Sequence, residues 1–330
     1  MFLLTPSVFV WDLIILMMLV GSAAIAMLCL LRIRRRCGGR MSRAVARLIL
    51  ILSCISFFVV VYGSFIEPQI IVVTKNTVPF PVRSPLTVAL ISDIHVGPYK
   101  DEEFTKRIVR KVNALLPDIV LIAGDFVLGE DVTPDQLKAL APLKDLQPTI
   151  GTYAVLGNHD YSEHRTILGI SSSGNDRSEY LTAALQSLNV RVLANEFDIV
   201  TVGAEKIAIA GVRDLRVSRA DLDAALREIP PDLPIILLSH NPDIVQDTLS
   251  AKAELIATGH THGGQVRLPI IGPLVRVPTR LGNAFDQCTF VVDENSTLSI
   301  TRGIGECGPR ARLFAWPEVM ELRLSSDASS

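Results

Sequence analysis

Two histidines separated by one residue, His260 and His262, lie in the stretch Gly259-His260-Thr261-His262-Gly263-Gly264-Gln265, directly after the apolar run Leu255-Ile256-Ala257. In an extended segment alternate side chains share a side, so both imidazoles project the same way. Two rings at the end of a strand, followed by a glycine-rich loop, form a plausible half of a metal site. Three more histidines occupy the same kind of position. Asp93-Ile94-His95 follows Ala89-Leu90-Ile91, Gly157-Asn158-His159-Asp160 follows Ala154-Val155-Leu156, and Ser239-His240-Asn241 follows Ile236-Leu237-Leu238. Gly124-Asp125 follows the apolar run Val120 to Ala123 in the same manner. Of the six histidines only His164 stands apart, in a polar stretch that reads as surface.

Each piece has a bland reading by itself. Asp93 and Asp125 could cap following helices, Gly157-Asn158 could be a turn, and His240 could be a satisfied core histidine. Their recurrence at five strand ends favours a shared site. Asp93, Asp125 and Asn158 are 32 and 33 residues apart, the length of one βαβ unit, so parallel strands would set them side by side at one sheet edge. Carboxylates, imidazoles and an amide are mixed oxygen and nitrogen ligands suited to Mn, Fe or Zn, and thiolates are not among them. Buried anions in such number need countercharge. A pair of cations about 3.5–4 Å apart, sharing a carboxylate, would activate water and clamp a phosphoryl group.

The elements that must position these groups follow an α/β rhythm. Strand-like runs at 87–91, 119–123 and 151–156 alternate with helical patterns at about 102–116, 134–146 and 177–188. A polar loop, Ser171 to Asp176, precedes the last of these. Shorter strands then appear at 190–193, 199–202, 207–211, 235–239, 255–258, 289–292, 297–301 and 319–324, with a helix around 221–227. Two packed sheets flanked by helices accommodate so many strands better than one open sheet. The domain is expected over residues 86–324, after a connector at 67–85 and before a tail at 325–330.

Residues 1–66 are of another kind. Leu13 to Leu31 and Leu48 to Ile66 are two 19-residue runs without a charge. Each would extend about 28 Å as a helix, close to the hydrocarbon thickness of a bilayer. The first run lacks the basic flank and small-residue cleavage site of a signal peptide. Arg32, Arg34, Arg35, Arg36, Arg40, Arg43 and Arg47 lie between the runs, so by the positive-inside rule this loop is cytoplasmic. The chain is therefore expected to be a multi-pass protein of the inner (cell) membrane with its large domain extracytosolic. Seven Arg and one Asp give the anchor a net charge of +6, and the remaining 25 basic and 33 acidic residues give the rest −8. An acidic domain argues against nucleic acid as partner. Cys288 and Cys307 could pair in an oxidising compartment, but two cysteines provide no framework to read.

Asp-x-His, Gly-Asp, Gly-Asn-His-Asp, a lone His and Gly-His-x-His, in this order, resemble the calcineurin-like metallophosphoesterase superfamily. The late Arg302-Gly303-Ile304-Gly305 and the Gly-Asn-His-Asp form are similar to its membrane-linked bacterial branch. The resemblance implies an αββα two-sheet sandwich with two divalent ions (Mn, Fe or Zn). One ion would be held by Asp93, His95, Asp125 and His262, and the second by Asp125, Asn158, His240 and His260, with Asp125 bridging. His159 would face substrate as a proton donor, with its ring oriented by Asp160. The activity implied is hydrolysis of a phosphate ester by metal-activated hydroxide, on a phosphorylated small molecule or, given the anchor, a phospholipid or envelope-related substrate. Relatives that cleave the pyrophosphate of UDP-2,3-diacylglucosamine in lipid A synthesis suggest an alternative, although that nucleotide is cytosolic. A non-catalytic metal-binding membrane module is a further alternative, disfavoured by the intact ligand set. Oligomeric state is left open.

Overall fold

In a computed structural model the described residues are 6–129, 132–161, 163–166, 169–172, 177–217 and 220–326. Two long apolar helices come first, α1 (Pro6–Arg34) and α2 (Arg40–Val61), joined by an Arg-rich turn. They pack against each other and leave most of their apolar side chains exposed, as helices that could span a membrane do. A π turn over Tyr62–Ile66 and a 3₁₀ turn over Glu67–Gln69 carry the chain from α2 into the domain.

The domain opens with β1 (Val72–Pro79) and β2 (Leu86–Ile91), then α3 (Glu102–Asn113), β3 (Ile119–Ala123), α4 (Pro134–Leu140), β4 (Gly151–Val155), a hairpin of β5 (Glu163–Thr166) and β6 (Gly169–Ser172), and α5 (Ser178–Gln186). It continues through β7 (Val190–Val192), β8 (Glu196–Val202), β9 (Glu205–Gly211), α6 (Leu222–Leu226), β10 (Ile235–Leu238) and β11 (Leu255–Thr258). The last strands are β12 (Arg267–Leu268), β13 (Gly272–Pro273), β14 (Cys288–Val291), β15 (Thr297–Ile300) and β16 (Glu318–Ser325).

Two six-stranded sheets form, in the orders β1-β16-β2-β3-β4-β7 and β14-β15-β11-β10-β9-β8. β2, β3, β4 and β7 run parallel, as do β9, β10, β11 and β15. Alternation along each strand explains the layering. Val88, Leu90, Ile119, Leu121 and Ala123 face Ile207, Ile209, Ile236, Leu238, Leu255 and Ala257 between the sheets. The intervening residues, Ala89, Ile91, Val120 and Ile122, face the opposite way onto α3, α4 and α5. Ala208, Ala210, Leu237 and Ile256 meet α6 on the far side of the second sheet. The expected αββα sandwich is the fold observed, because strands buried on both faces must be covered twice.

Several boundaries differ. Residues 72–79, expected as part of a connector, form an edge strand paired parallel with β16 in register from Val72 opposite Glu318 to Pro79 opposite Ser325. The last strand thus runs to Ser325, into what reads as tail, and 327–330 lie outside the described residues. The helix expected over 134–146 is regular only to Leu140 and tightens to 3₁₀ over Ala141–Asp145, where Pro142 interrupts the ladder. Of the polar loop at 171–176, residues 173–176 lie outside the described residues, as does the side chain of His164.

Candidate metal centre

The carboxyl ends of the parallel strands from both sheets meet in one layer. β2 leads to Asp93 and His95, β3 to Asp125, β4 to Asn158 and His159, β10 to His240, and β11 to His260 and His262. The ladder continues beyond the strands: the Asp93 N–H donates to the Gly124 carbonyl (2.8 Å), His95 to Asp125 (3.1 Å) and Gly259 to His240 (3.0 Å). Loops of one sheet are also bonded to those of the other. The His260 N–H donates to Asp93 Oδ2 (3.0 Å), and His240 Nδ1 faces the Ala123 carbonyl (2.6 Å). At Gly259 the two sets approach so closely that a Cβ would overlap the Ser92 hydroxyl and the Asp93 carboxylate. Asp93, His95, Asp125, His260 and His262 all have left-handed φ, between 49° and 68°. Such conformations cost non-glycine residues free energy and persist where their surroundings over-determine them, which happens most often at functional sites.

Three groups of donor atoms each lie within 4.8 Å of one another: Asp93, His95 and His262; Asp125, His240 and His260; and His95, Asp125 and His159. Asp125 joins them. Its Oδ2 is 3.5 Å from His95 Nε2 and 3.2 Å from His240 Nε2, while Oδ1 accepts the His159 N–H (2.9 Å). The rings are oriented from behind. Nδ1 of His95, His240 and His262 faces the carbonyls of Val127, Ala123 and Gly305, at 3.4, 2.6 and 3.2 Å. A carbonyl only accepts, so those nitrogens carry hydrogen and Nε2 is left as the ligand atom. His260 is turned the other way, with Nδ1 2.9 Å from His240 Nε2 and Nε2 3.3 Å from the Arg216 guanidinium.

Asp93 Oδ1, His95 Nε2 and Asn158 Oδ1 are buried and have no hydrogen-bond partner within the protein. Orphaned polar atoms are costly, and three of them on the loops that carry the grouped donors fit divalent cations. Mixed carboxylate, imidazole and amide donors suit Mn, Fe or Zn. The electrostatics agree. Burial holds His260 and His262 well below the ordinary histidine range, with His240 and His95 respectively adding to the effect, so both rings are in the neutral form that binds metal. Burial lowers His95 as well. Burial alone would raise Asp125, but His240, His159 and His95 outweigh it and keep that carboxyl well below its ordinary value. Burial alone would lower His240, yet Asp125 and Asp93 outweigh it and raise it above the ordinary histidine range. Asp93 is pushed up to about 6, chiefly by burial.

All seven residues expected as ligands, together with His159, are brought into this layer. Asp160 lies behind the layer and is bonded to main chain. Its Oδ2 accepts the N–H groups of Gly157 (2.9 Å) and Asp125 (2.8 Å), and its Oδ1 those of Phe126 (2.8 Å) and Val127 (3.3 Å). Both oxygens are thus engaged with main chain, and the residue ties the β3 and β4 loops together. Near that ring are His95, edge-on at 4.9 Å between centroids, and Cys307 Sγ, 3.4 Å from Nε2. Cys307 is not disulfide-bonded to Cys288. Sequence reasoning missed four neighbours: Asp214, Arg216, Cys307 and Arg312. Asp214 had a readable signal, an acid three residues past β9, the same strand-end pattern as the ligands. Arg312 is fully buried and donates to the carbonyls of Arg302 (3.1 Å), Gly305 and Ala315 (2.6 Å), a role only the tertiary fold reveals.

A family model described as calcineurin-like phosphoesterase matches residues 86–264. Among curated proteins, the chain is 32% identical over 295 residues to a Caenorhabditis elegans metallophosphoesterase, covering 84% of this chain and 56% of that one. It is 34% identical to a bovine (Bos taurus) transmembrane protein with a metallophosphoesterase domain, covering 74% of this chain and 54% of that one. The chain therefore spans about half the length of these two relatives. The UDP-2,3-diacylglucosamine pyrophosphatase LpxG of Chlamydia trachomatis is 28% identical, over 80% of this chain and 92% of its own.

Removing the shared carboxylate should empty the site: Asp125→Ala is expected to purify with bound divalent metal near background by elemental analysis, and full retention would rule out a bridging role. Asp160→Ala should act on folding, because it orphans the amides of four loop residues. A loss of about 3–5 kcal/mol in chemical denaturation is expected. Unchanged stability with a selective loss of rate would instead return Asp160 to the role of ring orienter.

Proposed function

The chain belongs to the calcineurin-like phosphoesterase family, and from that premise we propose that it is a membrane-anchored phosphoesterase with two divalent ions, acting on a phospholipid or envelope-related phosphate ester. Metal-dependent phosphoester hydrolysis itself is what the family does. The carrying observation for the finer reading is where the apolar helices meet the domain. The Arg312 N–H donates to the Gly63 carbonyl (2.8 Å), the Ala315 N–H to Glu67 Oε1 (2.7 Å), and Lys100 Nζ to the Pro68 carbonyl (2.7 Å). From α1, Asp12 accepts the Tyr99 hydroxyl at 3.0 Å. Lys100 is also paired with Glu306 (3.0 Å), next to the Cys307 that touches His159. The foot of the helices and the metal centre therefore share one loop, residues 303–316, which favours a substrate presented at a membrane surface.

Asp93, His95, Asp125 and His262 are suited to one ion, and Asp125, Asn158, His240 and His260 to the other. When bound, such ions polarise a phosphoryl group and make water acidic enough to attack it. The chain's own residues supply the rest. Arg216, beside His260, offers positive charge at the rim to a phosphoryl oxygen. His159 lies within reach of both Asp125 and His95 and is suited to giving a proton to the departing oxygen. Its main chain is fixed by Asp125, which supports a set position.

The second reading, cleavage of the UDP-2,3-diacylglucosamine pyrophosphate, is favoured by the likeness to LpxG along nearly all of that protein's length. Orientation separates the two readings. The Arg-rich turn between α1 and α2 supports a cytosolic hairpin tip and an outward domain.

His159→Asn is expected to keep its metal and to lose about 10²–10⁴-fold in rate on alkyl phosphoesters, whose leaving oxygen needs a proton. Nitrophenyl esters, whose leaving group departs unaided, should lose far less. Equal losses on both would exclude the proton-donor role, and loss of metal would make His159 a ligand. A reporter fused after Ser330 is expected to be extracytosolic; a cytosolic signal would bring the UDP-lipid reading to the front.

A further inference from the structure

The antiparallel pair β12–β13 projects from the domain immediately after the His-x-His turn, with Arg267 opposite Pro273 and Leu268 opposite Gly272. Its surface is the reverse of what an aqueous loop presents. Ile270 is fully exposed, Ile271 71%, Val275 68% and Leu274 54%. Phe314, 42% exposed, belongs to the segment paired with the hairpin's base. Hairpin tips in water usually carry Gly, Asn or Asp where φ is positive. Here Ile270 has φ +72°, a costly place for a β-branched side chain. Apolar residues clustered at such a position, with most of their surface turned away from the protein, fit an apolar environment outside it.

We propose that this hairpin inserts into the lipid bilayer and forms a membrane-embedded lip of the metal centre. The proposal rests on the membrane reading of α1 and α2 given above. Continuity points to lipid as the occupant. The Arg267 N–H donates to the Leu313 carbonyl (2.9 Å), Leu313 to Gln265 (2.9 Å), and Arg312 to Gly63 in the π turn that follows α2 (2.8 Å). Neighbouring strands lie about 5 Å apart, so the hairpin's base is within two such steps of the helix terminus. Near that terminus Phe65 and Ile66 are exposed as well. Charge fits the same partner: Arg276 and Arg280, both exposed, follow the apolar residues and would meet anionic headgroups. The lip is coupled to chemistry through Gly264, where a Cβ would run into the Pro273 ring. What the hairpin touches thereby bears on the turn that holds His260 and His262, and a lipid phosphate at the headgroup level would lie beside the ions.

The test uses the full chain, reconstituted in nanodiscs containing anionic phospholipid, some with brominated acyl chains. Ile271→Trp should show blue-shifted emission and bromine quenching beyond that of the two native tryptophans, Trp11 and Trp316. Met17→Trp in α1 is the control. Quenching at both positions supports the lip. Quenching at 17 but not at 271 overturns it and leaves the membrane reading standing; quenching at neither rejects the membrane reading itself. Blue-shifted emission at 271 without quenching means that a protein surface, such as a second copy of this chain, covers the hairpin, and it overturns the proposal. In parallel, Ile270→Asp combined with Ile271→Asp should keep wild-type metal content and soluble nitrophenyl ester hydrolysis. Its turnover of a bilayer-resident phosphoester should fall by roughly tenfold or more. Equal turnover of both substrate types would also count against the lip.

Discussion

A carboxylate kept ionised where water scarcely reaches is the condition on which the rest of this domain depends. Asp125 is nearly inaccessible, and burial alone would drive it to take up a proton. The rings of His240, His159 and His95 reverse that tendency. Each of those partners is itself fixed by something further back: the rings of His240 and His95 by main-chain carbonyls, the β3 and β4 loops by Asp160. Rigid sheets are needed because the fixing groups come from strands of two separate sheets, and a shift of one loop would leave a charge without its countercharge. The αββα sandwich supplies that rigidity by burying strands on both faces.

The residues that meet at the candidate metal centre were legible in the sequence because their signal is local and repeated. A short apolar run ending in Asp, His or Asn, five times over, specifies strand ends, and βαβ spacing specifies parallel neighbours. What was illegible depends on distant partners. β1 reads as a connector because its pairing is with β16, at the other end of the domain. The amides that Asp160 accepts from the β3 loop belong to residues more than thirty positions away, so that tie has no local signal. Cys307 and Arg312 carry no local motif at all, and their proximity to the site follows only from the way the loop after β15 folds back.

The left-handed backbone at five of the candidate ligands shows how the cost of assembling the site is distributed. None of these residues is glycine, and each would relax if freed from its loop. Hydrogen bonds between loops, and glycines such as Gly259 that let loops approach, hold them in place. The metal-binding chemistry and the tight crossing of the two sheets are in this sense one requirement.

The pairing of β1 with β16 has a consequence for biosynthesis. β1 leaves the ribosome directly after α2, while its partner is made last, with Val72 opposite Glu318. About 245 residues separate the two, and at about 5–20 residues per second the delay is roughly 12–50 s. During that interval the strand adjoining the helices lacks its sheet neighbour, and β2 lacks β16 on one edge as well. An unpaired edge of this kind invites association with other chains. The domain therefore closes its first sheet only after β16 has been made.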